Sequence, residues 1–346
     1  MSLKKLWMLG LVMVFAVALA ACNGGSEEET EGEEGADGSG GEESAEETGW
    51  APEEDIEMIA PAGAGGGWDT LARTIQNTLD QTDMMDVAMG VENMPGAGGA
   101  IGWNHVHNQS GNPHTLFVAS PPLILVPMSG ETDLSHDDFT PLARMITDYM
   151  VMAVNADSEY ENVEDIVNAL DEGENLSIAG GSAPGSMDHI ATAAALMEAG
   201  ADSESINYTN FEGGGEAVTQ VVGGHADIVA SGMGEVQEQV NAGNLRIVGV
   251  SAPEGTELPM EAETYQDQGI DYTFDIWRGV LGPPDMPEES IAYYEQLFED
   301  LMDTEEWQEQ QDNQGWIAAY QNSEEFGTFL DEQREEFETV LENLDY

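Results

Sequence analysis

Lysine is almost absent from these 346 residues. Lys4 and Lys5 are the only two, and five arginines complete a basic complement of 7 against 69 aspartates and glutamates, a formal net charge of −62. That balance excludes binding of nucleic acid through its phosphates and docking of a basic patch on anionic lipid. It also leaves no lysine after residue 5 for a Walker phosphate loop. Cysteine occurs once, at Cys22, so no disulfide within the chain can staple the fold. A hydrophobic content of 41 % supplies enough apolar surface for one large core or two smaller ones.

Residues 1–21 carry the two lysines, an apolar run and a small-residue end, the pattern of a secretion signal. Leu19-Ala20-Ala21-Cys22 resembles the lipobox of bacterial lipoproteins, so Cys22 is expected to carry lipid and to tether the chain to the outer face of the cell membrane. The stretch after it, NGGSEEETEGEEGADGSGGEESAEETG, has no large apolar side chain and cannot offset the entropy of ordering. Residues 22–49 therefore read as a lipidated cysteine and an acidic tether, extended by its own repulsion. Beyond residue 21, five arginines face all 69 acids. Such a surface repels itself unless salt screens it, and at ~1 M salt the Debye length is only ~3 Å, which points to a halophilic habitat.

From Trp50 onward a short apolar run, a loop of Gly, Ser or Pro and an amphipathic run recur. The first unit is a strand at 56–60, a glycine loop, and a helix with Leu71, Ile75 and Leu79 at i, i+4, i+8. A strand at 87–91 follows, then HTLFVA with Ser120 expected as a helix N-cap ahead of Pro121 and Pro122. LSIAGGSAPGSMDHIATAAALM, INYTNFEGGGEAVTQVVGG and ADIVASGMGEVQEQVNAG repeat the pattern. The alternation predicts an α/β fold of parallel or mixed sheets flanked by helices. Its length favours two lobes, 50–153 with 255–346 and 154–254, with crossings near YMVMAVNADSEY and SAPEGTELP.

Glycine loops at helix starts invite three readings. The dinucleotide fingerprint fails in both early loops, where Trp68 and Ile101 stand in place of the third glycine. A serine elbow fails too, because Pro184 and Pro253 occupy the final glycine positions. His105 and His107 lack the further ligands of a metal centre. The reading that remains is anion capture by backbone amides, since helix N-termini offer unpaired N–H groups and partial positive charge without any lysine. Any one loop could equally be a plain connection. Several on the carboxyl edge of the sheets favour a binding cleft. Arg73, four residues after Asp69, is expected in a salt bridge. Arg278 could line the cleft or brace the interdomain segment, and Trp68 and Trp277 could be core or cleft wall. The turn at Gly66 is expected to need close backbone approach and positive φ.

APAGAGGGWDTLAR, VENMPGAGGAIGWN, YTNFEGGGEAVTQVVGGHADI, VNAGNLRIVGVSAPE and WRGVLGPPDMPEESI together resemble the solute-binding component of tripartite tricarboxylate transporters, the TctC or Bug family. The resemblance spans Trp50 to Tyr346 in order. It implies a two-lobed, type II-like periplasmic-binding-protein fold whose cleft closes on a small organic anion, a di- or tricarboxylate, and delivers it to large and small membrane subunits. It implies no catalysis, no cofactor and no metal. The proximal carboxylate would meet Gly65, Gly66, Gly67, Trp68, Asp69 and Thr70 with Ser120 and Pro121. The opposite lobe would offer Gly181, Ser182, Ser186, Met187, Asp188 and His189, plus Asn210, Phe211, Glu212 and Gly213. The GGGWD form looks closer to tricarboxylate-type members and favours citrate-like ligands. The alternative is a carboxylate-sensing receptor that feeds a signalling partner with the same lobes.

Overall fold

The computed structural model describes residues 49–343, so the expected signal segment, Cys22 and nearly all of the tether lie outside the described residues. The chain runs β1 (Ile56–Ala60), α1 (Gly67–Thr82), β2 (Met89–Asn93), α2 (Ala100–His107), β3 (Thr115–Ala119), α3 (Pro122–Met128) and β4 (Thr140–Asn155). It continues α4 (Val163–Asp171), β5 (Ser177–Gly180), α5 (Met187–Glu198), β6 (Asn207–Asn210), α6 (Gly214–Val222), β7 (Ile228–Gly232), α7 (Met233–Asn241) and β8 (Leu245–Val250). β9 (Asp275–Gly282), α8 (Glu288–Met302), α9 (Glu305–Gln314), β10 (Ile317–Gln321) and α10 (Ser323–Asn343) complete it.

Local chemistry accounts for most of these elements. β3 is buried along its whole length, the signature of a central strand covered on both faces. In α1 the positions Leu71, Ile75 and Leu79 are buried as their spacing predicts, and the helix stops where Asp83 turns left-handed. α4 starts at Asn162, whose side chain accepts the Asp165 N–H. β2 lies two residues later than the apolar run suggests, because Met89 is its buried anchor against Ile56.

The strands build two equivalent sets. β1 pairs in parallel with β2 and β3, and β5 pairs in parallel with β6 and β7. Each set is then extended by an antiparallel strand, β9 on β3 and β4 on β7. The expected pair of sheets is thus present as hydrogen-bonded sets, but β4 joins them into one ten-stranded mixed sheet. This 16-residue strand runs beside β9 from Thr140 to Tyr149, beside β7 from Met150 to Val154 and beside β8 from Val151 to Asn155. Its one proline stands second and it contains no glycine, so the strand continues through register shifts at Pro141–Ala143, Arg144–Ile146 and Met152–Ala153. After β8 the chain stays bound to that end. Tyr265 N–H donates to the Val250 carbonyl, and the Ser251 hydroxyl links Met150 N–H to the Phe274 carbonyl before β9 begins.

Trp277 is core, fully buried with its ring edge-on to Phe326 and Phe329. Ser120 does not cap α3. Pro121 is the cap residue and Pro122 opens the helix. Of the two amides a Ser120 cap would reach, Pro122 has none and the Leu123 N–H donates to the Ser120 carbonyl at 2.9 Å, so the Ser120 hydroxyl accepts the Trp68 indole N–H at 2.8 Å instead.

Candidate functional site

The β1–α1 and β5–α5 loops are two copies of one turn. Gly65 (φ +84°) and Gly185 (φ +80°) are left-handed, and each is followed by an extended N-cap, Gly66 and Ser186. In each copy the left-handed glycine donates its N–H to the side chain four residues on. Gly65 reaches Asp69 Oδ2 at 2.9 Å, and Gly185 reaches His189 Nδ1 at 2.9 Å. Gly66 itself has φ −84°, so the positive-φ demand expected there belongs to Gly65.

The two turns face each other across a cavity of about 400 Å³ at the carboxyl ends of both strand sets. Gly66, Gly67 and Trp68 line it, as do Ser120, Gly181, Ser182, Met187 and Asp188, and Asn210 to Gly213 from the β6–α6 loop. Gly63 N–H donates to the Glu212 carbonyl at 3.3 Å, tying the first loop directly to the last. Five of the expected residues stand behind this lining, and a sixth supports it. Gly65 and Thr70 face a neighbouring polar cavity, and Pro121 is buried at the start of α3. Ser186 is buried with its hydroxyl lacking a hydrogen-bond partner among the described residues. His189 is buried against the Tyr208 ring, and burial lowers its pKa.

Asp69 is that sixth residue, holding the wall from behind. Its carboxylate accepts from Gly65, from Arg73 Nε at 2.8 Å, and from Asn93. Burial pushes its pKa up, and those bonds outweigh it, so the group lies below the ordinary carboxylate value. The expected Asp69–Arg73 salt bridge is therefore formed. Asp188 behaves differently. It accepts the Gly181 and Ser182 amides at 2.7 and 2.9 Å, the donors that the sequence assigns to a ligand. Burial first, and the Glu235 charge second, push its carboxyl up to about 7.

Sequence reasoning missed the loop from Pro95 to Gly99, which also lines the cavity. Its glycines failed the nucleotide pattern, yet they lie at a strand end like the others, which was the available signal. A Cβ on Gly99 would stand 2.7 Å from the Trp103 indole and 3.2 Å from that of Trp68, so glycine lets this loop lie on the tryptophan wall. Glu216 and Glu235 were missed as well, and no local pattern marks them.

Arg278 takes the first of the two places expected for it, the cavity wall. It lines the cavity and is only 3 % exposed, with Nη1 at 3.2 Å from Asp148 Oδ2. The other oxygen of Asp148 accepts the N–H groups of Tyr149 and Met233 at the start of α7. Burial pushes Asp148 up to about 6 against the pull of Arg278. A Cβ on Gly67 would fall 2.3 Å from Arg278 Nη2, so the guanidinium lies directly under the first turn of α1. The remaining arginines hold posts elsewhere. Arg144 pairs with Asp275, Arg246 binds the carbonyls of Ala156, Ser158 and Tyr160, and Arg334 pairs with Asp137. Among the described residues Arg278 is thus the one cation in the cavity wall. His105 lies on Glu57 and His107 edge-on to Phe139, so the two histidines have separate partners.

A cavity shared by two βαβ sets, walled by glycine turns and helix starts, defines an α/β solute-binding protein. The chain belongs to the tripartite tricarboxylate transporter family receptors, whose family profile (TctC) matches residues 71–346. It is similar to the UPF0065 protein in the tcbD–tcbE intergenic region of Pseudomonas sp. strain P51, 26 % identical over 68 % of this chain and 70 % of that one. A TctC solute-binding protein from Polaromonas superposes with a TM-score of 0.61 at 26 % identity, covering 84 % of this chain and 99 % of that one. MatC from Rhodopseudomonas palustris, solved with bound malate, shares the fold with a TM-score of 0.74 at 19 % identity, covering 84 % and 99 %. Members of this family are solute-binding receptors and not enzymes.

Proposed function

We propose that this protein captures a small di- or tricarboxylate of citrate-like size outside the cytoplasm and delivers it to the large and small membrane subunits of a tripartite transporter. The observation that carries the reading is the meeting of the α1 N-terminus, the Ser120 hydroxyl and the buried Arg278 guanidinium in one cavity wall. The first-turn amides of Gly66, Gly67 and Trp68 have no acceptor within their own helix, and a carboxylate seated there completes them. The α1 dipole and Arg278 add positive potential where no lysine stands. Malate, held by MatC, is a ligand of this chemical class.

In this reading residues 50–153 with 255–346 form one lobe and 154–254 the other, and the ligand is enclosed between them. Cys22 carries the lipid that keeps the receptor at the membrane, and residues 23–49 hold it clear of the surface. The test is a thermal-shift screen of di- and tricarboxylates in molar salt. A ligand present at 100 times its Kd should add about 2.7 kcal/mol of stability. A panel in which no carboxylate raises the melting temperature contradicts the proposal.

A further inference from the structure

We propose that His136, Asp137 and Asp331 form a binding site for a divalent transition-metal ion of the zinc type, on the surface where the turn ahead of β4 meets α10. None of the three lines either cavity, so the site stands apart from solute capture. Asp331 lies 195 positions after His136, so no local spacing of ligands marks the set in the sequence. His136 and Asp137 belong to a short turn fixed by its own cap. Ser135 Oγ accepts the Asp137 N–H at 3.3 Å, and Asp138 accepts the Ser135 N–H at 2.9 Å, which commits Asp138 to the backbone.

The His136 ring is the buried member, with only 4 % of its side chain exposed. Its Nδ1 has no hydrogen-bond partner among the described residues, so Nε2 is the nitrogen that meets polar groups. It meets two of them, Asp331 Oδ1 at 3.2 Å and Asp137 Oδ1 at 3.6 Å. A proton on Nε2 can be donated to the nearer oxygen only, because 3.6 Å is too long for a hydrogen bond. A divalent ion answers both. Tetrahedral bonds of about 2.0–2.1 Å to an imidazole nitrogen and carboxylate oxygens place the ligand atoms about 3.3–3.4 Å apart, and the two observed separations lie on either side of that. The three ligand atoms all fall within 4.8 Å of one another, and both carboxylates are exposed enough to turn onto one ion. An imidazole with two carboxylates suits zinc, cobalt or nickel, whereas magnesium and calcium take oxygen sets. Arg334 is the competing cation. Its Nη1 lies 3.6 Å from the other oxygen of Asp137, a loose pair on a side chain that is 41 % exposed and free to withdraw. A bound ion would tie α10 to the turn that leads into β4, the strand that joins both sets.

Calorimetry and thermal unfolding of the metal-stripped protein in molar sodium chloride at pH 7.5 decide it. The probes are zinc chloride and, as the control for a surface rich in carboxylates, magnesium chloride. The expected result is one zinc site per chain at least tenfold tighter than any magnesium site, with a melting temperature that zinc raises. Asp331→Asn alters an exposed side chain and leaves the core alone, so it should keep the fold, weaken that site at least tenfold and remove the zinc-dependent rise. His136→Gln should do the same to zinc wherever it folds, and Arg334→Gln should tighten the site. Zinc binding that Asp331→Asn leaves unchanged, or that Arg334→Gln weakens, overturns the inference, as does zinc bound no more tightly than magnesium.

Discussion

The Arg278 guanidinium and the Asp148 carboxylate are both almost wholly buried, and each compensates the other's charge. Removing one partner leaves an unpaired buried charge, so Arg278→Met is expected to cost about 3–5 kcal/mol in denaturant unfolding. The double variant with Asp148→Asn should recover most of that, and equal losses in single and double variants would show that the pair does not act as one. Gly67→Ala tests the same contact from the other side. Its new methyl group must displace the guanidinium, and carboxylate affinity should fall by at least tenfold while the fold is kept. Asp188 makes a pH prediction. With its folded value pushed up to about 7 from 3.8, the folded chain holds a proton that the unfolded chain releases between those values. Stability from this group is complete below the lower value and declines as pH rises through the window. The melting temperature should therefore drop between pH 5 and 8 more steeply in the wild type than in Asp188→Asn, and parallel curves would contradict it. The sequence shows that Arg278 and Asp188 are charged residues near expected loops. The Asp148 partner of Arg278 comes from β4 and the Glu235 charge that acts on Asp188 from α7, both distant in the chain, and spacing alone could not supply them.

The turns that frame the cavity share backbone geometry and very little sequence. GAGGGWD and SAPGSMDH agree in a left-handed glycine and in an acceptor four residues after it, Asp69 in one and His189 in the other. Such a repeat is invisible to residue matching because an aspartate and an imidazole nitrogen satisfy the same amide. Strand and helix positions were easier to read, since β1, β3 and the buried face of α1 follow directly from apolar spacing. The joining of the two sheets through β4 was not legible, because antiparallel pairing over sixteen residues depends on strands that arrive much later. The close approach between loops gives an element-scale prediction. A Cβ on Gly181 would lie 2.2 Å from the Gly214 amide nitrogen, backbone that cannot swing aside. Gly181→Ala must then push the α6 N-terminus away from the β5 end, with an expected loss of about 1–3 kcal/mol in thermal or denaturant unfolding. An unchanged midpoint would mean that the two loops have room to separate.

Over the whole molecule the dominant fact is charge. The described arginines are all engaged with acids or carbonyls, and none is left to offset the remaining carboxylates. Screening must do so, and the melting temperature is expected to drop by tens of degrees between molar and ~0.01 M salt at constant pH. A flat profile would refute that account. The proposed lipid anchor is tested separately. Cys22→Ser should release the protein into the medium with its ligand affinity unchanged, and retention at the membrane would mean that lipid does not hold it. The central claim is that the first glycine turn holds the carboxylate. Gly66 has room for a Cβ, with its nearest neighbours at 3.7 to 3.8 Å, and an ordinary φ, so Gly66→Val fills the turn without straining the backbone. Charge-assisted hydrogen bonds contribute about 1.5–3 kcal/mol each, so blocking two should weaken binding by about 100-fold or more. Calorimetric titration of the wild type and Gly66→Val with the best ligand of the screen, in molar salt, is the most direct measurement. One saturable site in the wild type that nearly vanishes in the folded variant is the predicted result, and near-equal affinities would contradict it, leaving the turn a connection and the anion held elsewhere.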